Sequence, residues 1–152
     1  DPERGKVLSF DGEGATAETI FKWGGHRGIR VEMMVRNEAP TGQSVILAVP
    51  NVFRVFKVAG FAQMDFSSGL KPDARENNAG IPVLQTGAWR KVVAEFDPAK
   101  GVARIESDGR TATVPLAPGD ALADKRWPIT LGNRLNQFFK GQIDDIRISV
   151  MD

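Results

Sequence analysis

Two adjacent acids, Asp144 and Asp145, stand in the segment FKGQIDDIRI near the end of a 152-residue chain. Paired carboxylates can act as general acid and base, or as oxygen ligands to a hard cation. Side-chain alternation limits how this pair could be used. Ile146, Ile148 and Val150 share one face of a strand, since successive side chains point to opposite sides. Counting back by two puts Asp144 on that apolar face, and Asp145 on the other with Arg147 and Ser149. The two acids are thus expected to face opposite ways. An inward Asp144 would need backbone N–H groups, a salt bridge or a cation to offset its desolvation. A bulge at Gln142 or Ile143 would exchange the two faces.

Other chemistry-bearing residues are sparse. His26 is the one histidine and there is no cysteine, so a typical zinc site cannot be assembled. No serine lies in a recognisable nucleophile turn. The glycines around His26, in GGHRG, lack the Lys-Ser/Thr ending and following helix of a phosphate loop, and they read as a surface turn. Sugar binding would need aromatic faces beside amide and charged hydrogen bonders. Trp23 and Trp127 are expected to be partly exposed, whereas Trp89 begins an apolar strand and is expected in the core. The polar loops DARENN and NRLNQ supply amides. The candidate carbohydrate-contacting residues are therefore Trp23, His26, Arg27, Asn77, Trp127, Asn133 and Asn136.

The elements that must position these residues are strands. IRVEMMVR puts Ile29, Val31, Met33 and Val35 on one face; WRKVVAEFD does the same with Val92, Ala94 and Phe96. In VFRVFKV, Phe53, Val55 and Lys57 oppose Val52, Arg54, Phe56 and Val58. The turn signals DPAKG and SDG make residues 89 to 115 a three-stranded meander. Many short strands with Gly and Pro punctuation, about ten to twelve in all, predict an all-β fold, a two-sheet antiparallel β-sandwich. The one helical pattern is GDALADKRW, Gly119 to Trp127. Residues 1–152 make one domain by length. The formal net charge of +1, with both signs interspersed, gives no reason to expect nucleic acid as a partner. No apolar run is long enough for membrane insertion as a helix.

Several segments, in order, resemble the laminin-G-like, concanavalin A-like lectin-glucanase jelly-roll superfamily. VLSFDGEG resembles its opening strand and Asp-Gly turn, and IRVEMMVR is similar to a strand that usually carries an aromatic, a valine, a glutamate and another valine. WRKVVAEFDPAKGVARIESDGR is similar to its tryptophan-led strand, hairpin, strand and Asp-Gly turn. ITLGNRLNQFFKGQIDDIRI resembles its closing glycine-rich turn and last strand. The resemblance implies a jelly roll. It further implies an exported domain, cut from a longer secreted, periplasmic or cell-surface protein, that works as a monomeric, non-catalytic binder of a polysaccharide. A protein-interaction or structural module is the alternative. Several jelly rolls of this superfamily hold a structural calcium between first and last strands, and the matching residues would be Asp11 and Asp144, with Glu13 able to help. The superfamily's glucanases use Glu-x-Asp-x-x-Glu on one strand, where two carboxyls about 5 Å apart serve retaining hydrolysis. Here Glu95 and Asp97 are present, but Lys100 replaces the third acid, so a glycoside hydrolase or lyase is disfavoured.

Overall fold

The computed structural model describes residues 4–74, 77–133 and 137–152, apart from the side chains of residues 20 and 21. Twelve strands account for the regular structure of these residues, and no α-helix occurs among them. They are β1 (Leu8–Asp11), β2 (Ala17–Trp23), β3 (Gly28–Asn37), β4 (Gln43–Val49), β5 (Phe53–Val58) and β6 (Phe61–Phe66). Then come β7 (Asn78–Ile81), β8 (Trp89–Asp97), β9 (Val102–Ser107), β10 (Arg110–Pro115), β11 (Trp127–Leu131) and β12 (Lys140–Met151). One sheet has the order β1-β12-β3-β8-β9-β10, the other β2-β11-β4-β5-β6-β7, and every pairing is antiparallel.

The core lies between the sheets and is built by the expected alternation. Ile29, Val31, Met33 and Val35 of β3 are buried, as are Val92, Ala94 and Phe96 of β8 and Phe53 and Val55 of β5. Phe96 meets Phe66 of the opposite sheet edge-on, with ring centroids 5.0 Å apart, a favoured aromatic geometry. The meander over residues 89 to 115 forms as β8, β9 and β10. Its second turn, Asp108-Gly109, has both residues at positive φ (50° and 77°) between the paired Ser107 and Arg110, as a two-residue hairpin requires.

Three expectations need correction. The first concerns β12. Gly141 to Asp144 pair with Asn37 to Met34, but the register then shifts, and Arg147 pairs with Glu32. One extra residue is inserted here, and Asp145 takes the left-handed conformation (φ 49°), which marks a β-bulge. Ile143 therefore shares the core face with Ile146, Ile148 and Val150, and Asp144 does not. The bulge lies at Asp145, two residues beyond Ile143 and three beyond Gln142. Trp89 is the second correction: it is only half buried. Counting back from Val92 by two reaches Arg90, so Trp89 falls on the outer face, with the Arg4 guanidinium 5.3 Å from its ring centroid. The third is the helical segment from Gly119 to Trp127, which is an irregular loop. Its backbone is drawn outward: Leu122 N donates to Arg27 O (2.9 Å), Ala123 N to Ser67 O (3.0 Å), and Ala121 O accepts from Gly69 N (2.9 Å). A nine-residue helix has too little intrinsic stability to compete with such contacts.

Candidate binding cleft and the predicted residues

Antiparallel connectivity sorts the turns into two groups at opposite ends of the sandwich. The near end collects the β2–β3, β4–β5, β6–β7, β8–β9 and β10–β11 connections. The far end collects the β1–β2, β3–β4, β5–β6, β7–β8, β9–β10 and β11–β12 connections. A cleft of about 410 Å³ opens at the near end, between the β4–β5 turn and the β6–β7 loop. Asn51, Arg54, Asp65, Ser67, Pro72 and Lys125 contribute to its wall.

Each wall element is fixed locally. In Val49-Pro50-Asn51-Val52, Val52 N donates to Val49 O at 3.0 Å and Asn51 has φ 61°. Proline followed by asparagine suits these central positions, because one needs φ near −60° and the other a positive φ. Arg54 and Asp65 are cross-strand partners on β5 and β6. Arg54 Nε donates to both carboxylate oxygens (3.0 and 2.9 Å), and Nη2 donates to Oδ2 at 2.6 Å. The guanidinium also lies 4.0 Å from the Phe56 ring centroid. Burial pushes the Asp65 carboxyl above its ordinary value, against the pull of Arg54. The β6–β7 loop is pinned by Asp120, whose carboxylate accepts from Ser68 Oγ (2.7 Å), Leu70 N (3.1 Å) and Ala121 N (2.9 Å).

The residues singled out in the sequence distribute unevenly around this cleft. Trp127 opens β11 two residues after Lys125, and 47% of its surface is exposed, as expected. Trp23, its cross-strand partner, is fully buried, which corrects the expectation of partial exposure. Its Nε1 donates to Ala123 O at 3.1 Å, and His26 stands edge-on to its ring at 5.4 Å. The β10–β11 loop and His26 thus cover a ring that the sequence left at a strand end. His26 Nδ1 lies 2.5 Å from Asp152 Oδ1. Arg27 is exposed and binds through its backbone, its N donating to Met151 O (2.7 Å). Asn77 is not a solvated loop residue either; it is fully buried. Its Nδ2 donates to Lys71 O (2.9 Å), Asp73 O (3.1 Å) and Phe66 O (3.3 Å), so it shapes the loop from inside. Asn133 lies at the far end, where its backbone carbonyl accepts from Thr130 Oγ1 at 3.2 Å. Asn136 lies outside the described residues.

Asp11 and Asp144 are not brought together. Asp11 pairs with Lys140, four residues before Asp144 along β12, a separation of about 13 Å at the usual strand rise. Asp11 Oδ1 instead accepts from Glu13 N (2.8 Å), Gly14 N (3.1 Å) and Ala15 N (3.2 Å), which hold its carboxyl below the ordinary value. Asp144 accepts from Arg4 Nε at 2.8 Å, and Arg4 also bonds Asp145. That ion pair keeps the Asp144 carboxyl low. No group of three or more acidic or histidine side chains suited to a metal occurs among the described residues.

The acids of β8 are occupied as well. Glu95 is buried on the outer face between Arg30 Nη1 (2.9 Å) and Arg104 Nε (2.5 Å). Asp97 caps the following turn by accepting from Lys100 N at 3.0 Å. Both arrangements fit a structural use of these carboxylates, the second being a strand that ends in an Asp-Pro turn.

No protein-family model matches the chain, and no curated protein sequence does. Solved structures do match. Domains LG4-5 of the mouse laminin alpha1 chain superpose with a TM-score of 0.68 at 13% identity, covering 97% of this chain and 42% of that one. The native heptameric SAP-like pentraxin from Limulus polyphemus gives 0.66 at 14% identity, over 92% and 73%. The CBM40 of the Ruminococcus gnavus IT-sialidase, solved bound to alpha2,3 sialyllactose, gives 0.64 at 12%, over 97% and 91%. The chain therefore has the laminin-G-like, concanavalin A-like jelly-roll fold that the sequence resembles. Binding modules recur among these structures, while a family 7 alginate lyase bound to its product matches at 0.56 and 10% identity. The fold by itself accommodates both kinds of protein.

Proposed function

We propose that the domain is a non-catalytic binding module of an exported protein and that it takes a polysaccharide at the near-end cleft. The observation that carries this reading is the composition of that cleft. An immobilised Arg54–Asp65 pair, the Asn51 amide, the Ser67 hydroxyl and the Lys125 ammonium line a pre-formed concavity, and the half-exposed Trp127 ring stands at the same end. Sugar recognition uses such sets: an aromatic face for C–H surfaces and fixed polar groups for hydroxyls. The shared fold with a carbohydrate-binding module supports the reading by analogy. The absence of an acid at Lys100 argues against retaining hydrolysis by the β8 strand.

The test is a glycan array followed by calorimetry. Trp127→Ala and Lys125→Ala should each weaken the best glycan about tenfold, the loss of one good contact, with the thermal midpoint unchanged. A screen without hits, or a hit insensitive to both substitutions, would reject the cleft as the site.

The alternative, protein interaction, has one observation in its favour. β1 covers only Lys140 to Ile143 of β12, so the edge of β12 beyond the bulge has no described partner strand. An open edge can accept an added strand. Binding of an extended peptide, blocked by Val150→Pro, which removes an N–H on the side away from β3, would support that reading over the first.

A further inference from the structure

A second cleft, of about 420 Å³, lies at the far end between the β7–β8 connection and the β9–β10 turn. Its lining is Pro82, Val83, Gln85, Arg90, Asp108 and Arg110. The two arginines reach it from unusual positions. On β8 the inward residues are Phe96, Ala94 and Val92, and the next in that series is Arg90. On β10 they are Val114 and Ala112, and the next is Arg110. Between them on β9 the inward series Ala103, Ile105 ends in Ser107, the cross-strand partner of Arg110. Ser107 is 2% exposed and its Oγ has no hydrogen-bond partner among the described residues. Three neighbouring strands thus end their core-facing series in Arg, Ser and Arg at one mouth of the sandwich.

The guanidiniums keep most of their donors. Arg90 contacts Val83 O (3.3 Å) and Asp108 Oδ2 (3.4 Å), both through Nε. Its two Nη groups therefore keep their N–H donors. The Arg110 side chain has no hydrogen bond or ion pair among the described residues. Two guanidiniums against one carboxylate leave the cleft with a net positive charge, and Pro82 and Val83 give it an apolar wall. Planar N–H forks aimed into a semi-enclosed space match a group with several oxygens and a negative charge.

We propose that this cleft binds an oxyanion, a carboxylate or sulfate, through Arg90 and Arg110, with Asp108 tempering its affinity. The anion could arrive free or as the acidic group of a saccharide. The site lies at the opposite end from the near-end cleft and does not depend on the reading given for it.

Titration of the isotope-labelled domain at constant ionic strength tests the proposal, with sodium sulfate, glucuronate and glucose as separate probes followed by amide and arginine Nε–H shifts. Sulfate and glucuronate should give saturable shifts confined to residues 82–85, 90 and 107–110, and glucose none. A stronger response to glucuronate assigns the saccharide as source, and a stronger response to sulfate assigns the free anion. Arg110→Ala should weaken sulfate about tenfold, as loss of a charge-assisted bond does. Arg90→Lys should also weaken it, since charge remains but the fork is lost. Asp108→Asn should tighten it, and Trp127→Ala should leave it unchanged, which separates this site from the near-end cleft. Shifts that never saturate, shifts spread over all basic residues, an equal response to glucose, or unaltered affinity in Arg110→Ala would each overturn the proposal.

Discussion

At the near end of the sandwich the core-facing series of the strands finish in apolar residues: Ile29 of β3, Phe53 of β5, Phe96 of β8, Ala103 of β9 and Val114 of β10. At the far end the same strands finish in Asn37, Lys57, Arg90, Ser107 and Arg110. The far end therefore seals the core with its own strands. Lys57 Nζ donates to Thr41 O (2.7 Å), and Asn37 Nδ2 to Leu84 O (2.9 Å), so long polar side chains leave the sheet to meet turn carbonyls. The near end has no such seal and depends on loops. Asp120 and Asn77, buried residues of those loops, satisfy the backbone that crosses the apolar mouth. Loops held in this way leave a concavity between them, which is where the polysaccharide reading is placed. The far-end cleft arises differently, from strand residues whose polar heads exceed what sealing requires.

Substitutions at the two ends should differ in their cost. The largest effect is expected at the near-end core: Phe96→Ala should cost about 4 kcal/mol in urea unfolding, because a fully buried ring is lost from a packed pair. Arg54→Ala comes next, at about 3 kcal/mol, since it strands the buried Asp65 carboxylate. The folded state raises the Asp65 value, so the folded chain binds this proton more readily. Stability therefore falls as pH rises through the window just above 3.8. The Arg54→Ala deficit should accordingly shrink toward acid pH, and a deficit constant with pH would show that Asp65 is not the stranded group. Asn77→Ala should cost about 2 kcal/mol, because it leaves loop carbonyls unpaired, and it should raise hydrogen exchange in residues 67–74.

The smallest effects should come from the far end and the outer surface. Lys57→Met should change stability by less than about 1 kcal/mol, because an apolar residue of similar length removes a desolvated charge. Burial holds the Lys57 ammonium below its ordinary 10.5. The unfolded chain therefore binds the proton more readily in the window below 10.5, and stability should rise with pH there. Lys57→Met should abolish that rise. A loss as large as that of Phe96→Ala would mean that the far-end seal is no weaker than the near-end core. Finally, Arg4 holds the Asp144 carboxyl below 3.8, so their contribution is present above that value and lost as pH falls through the folded value. Arg4→Ala should flatten this part of the acid profile of the thermal midpoint.

Much of the strand architecture was legible because its cause is local. Period-two alternation identifies β3 and β8 with their buried faces, and Asp-Gly at 108–109 identifies a hairpin. The site was less legible. Trp127 reads as partly exposed and is, but Trp23 and Asn77 look equally available in sequence and are both buried. Their covering comes from the Gly119–Trp127 and Ser67–Asn77 loops, whose folding depends on contacts more than forty residues apart. Cleft residues Arg54 and Asp65 carry no motif; only the pairing of β5 with β6 sets them side by side. The signal in the sequence is a polar residue that continues a core-facing series, as at Lys57, Arg90 and Arg110.

The sequence alone determined the antiparallel sandwich and most of its core, since alternation and turn chemistry act over a few residues. The tertiary structure alone decided where the acids point. A single inserted residue at Asp145 turned Asp144 to the surface and onto Arg4. Such a bulge is chosen by the register that lets Ile143 and Ile146 both reach the core, and that choice exists only once β3 lies alongside.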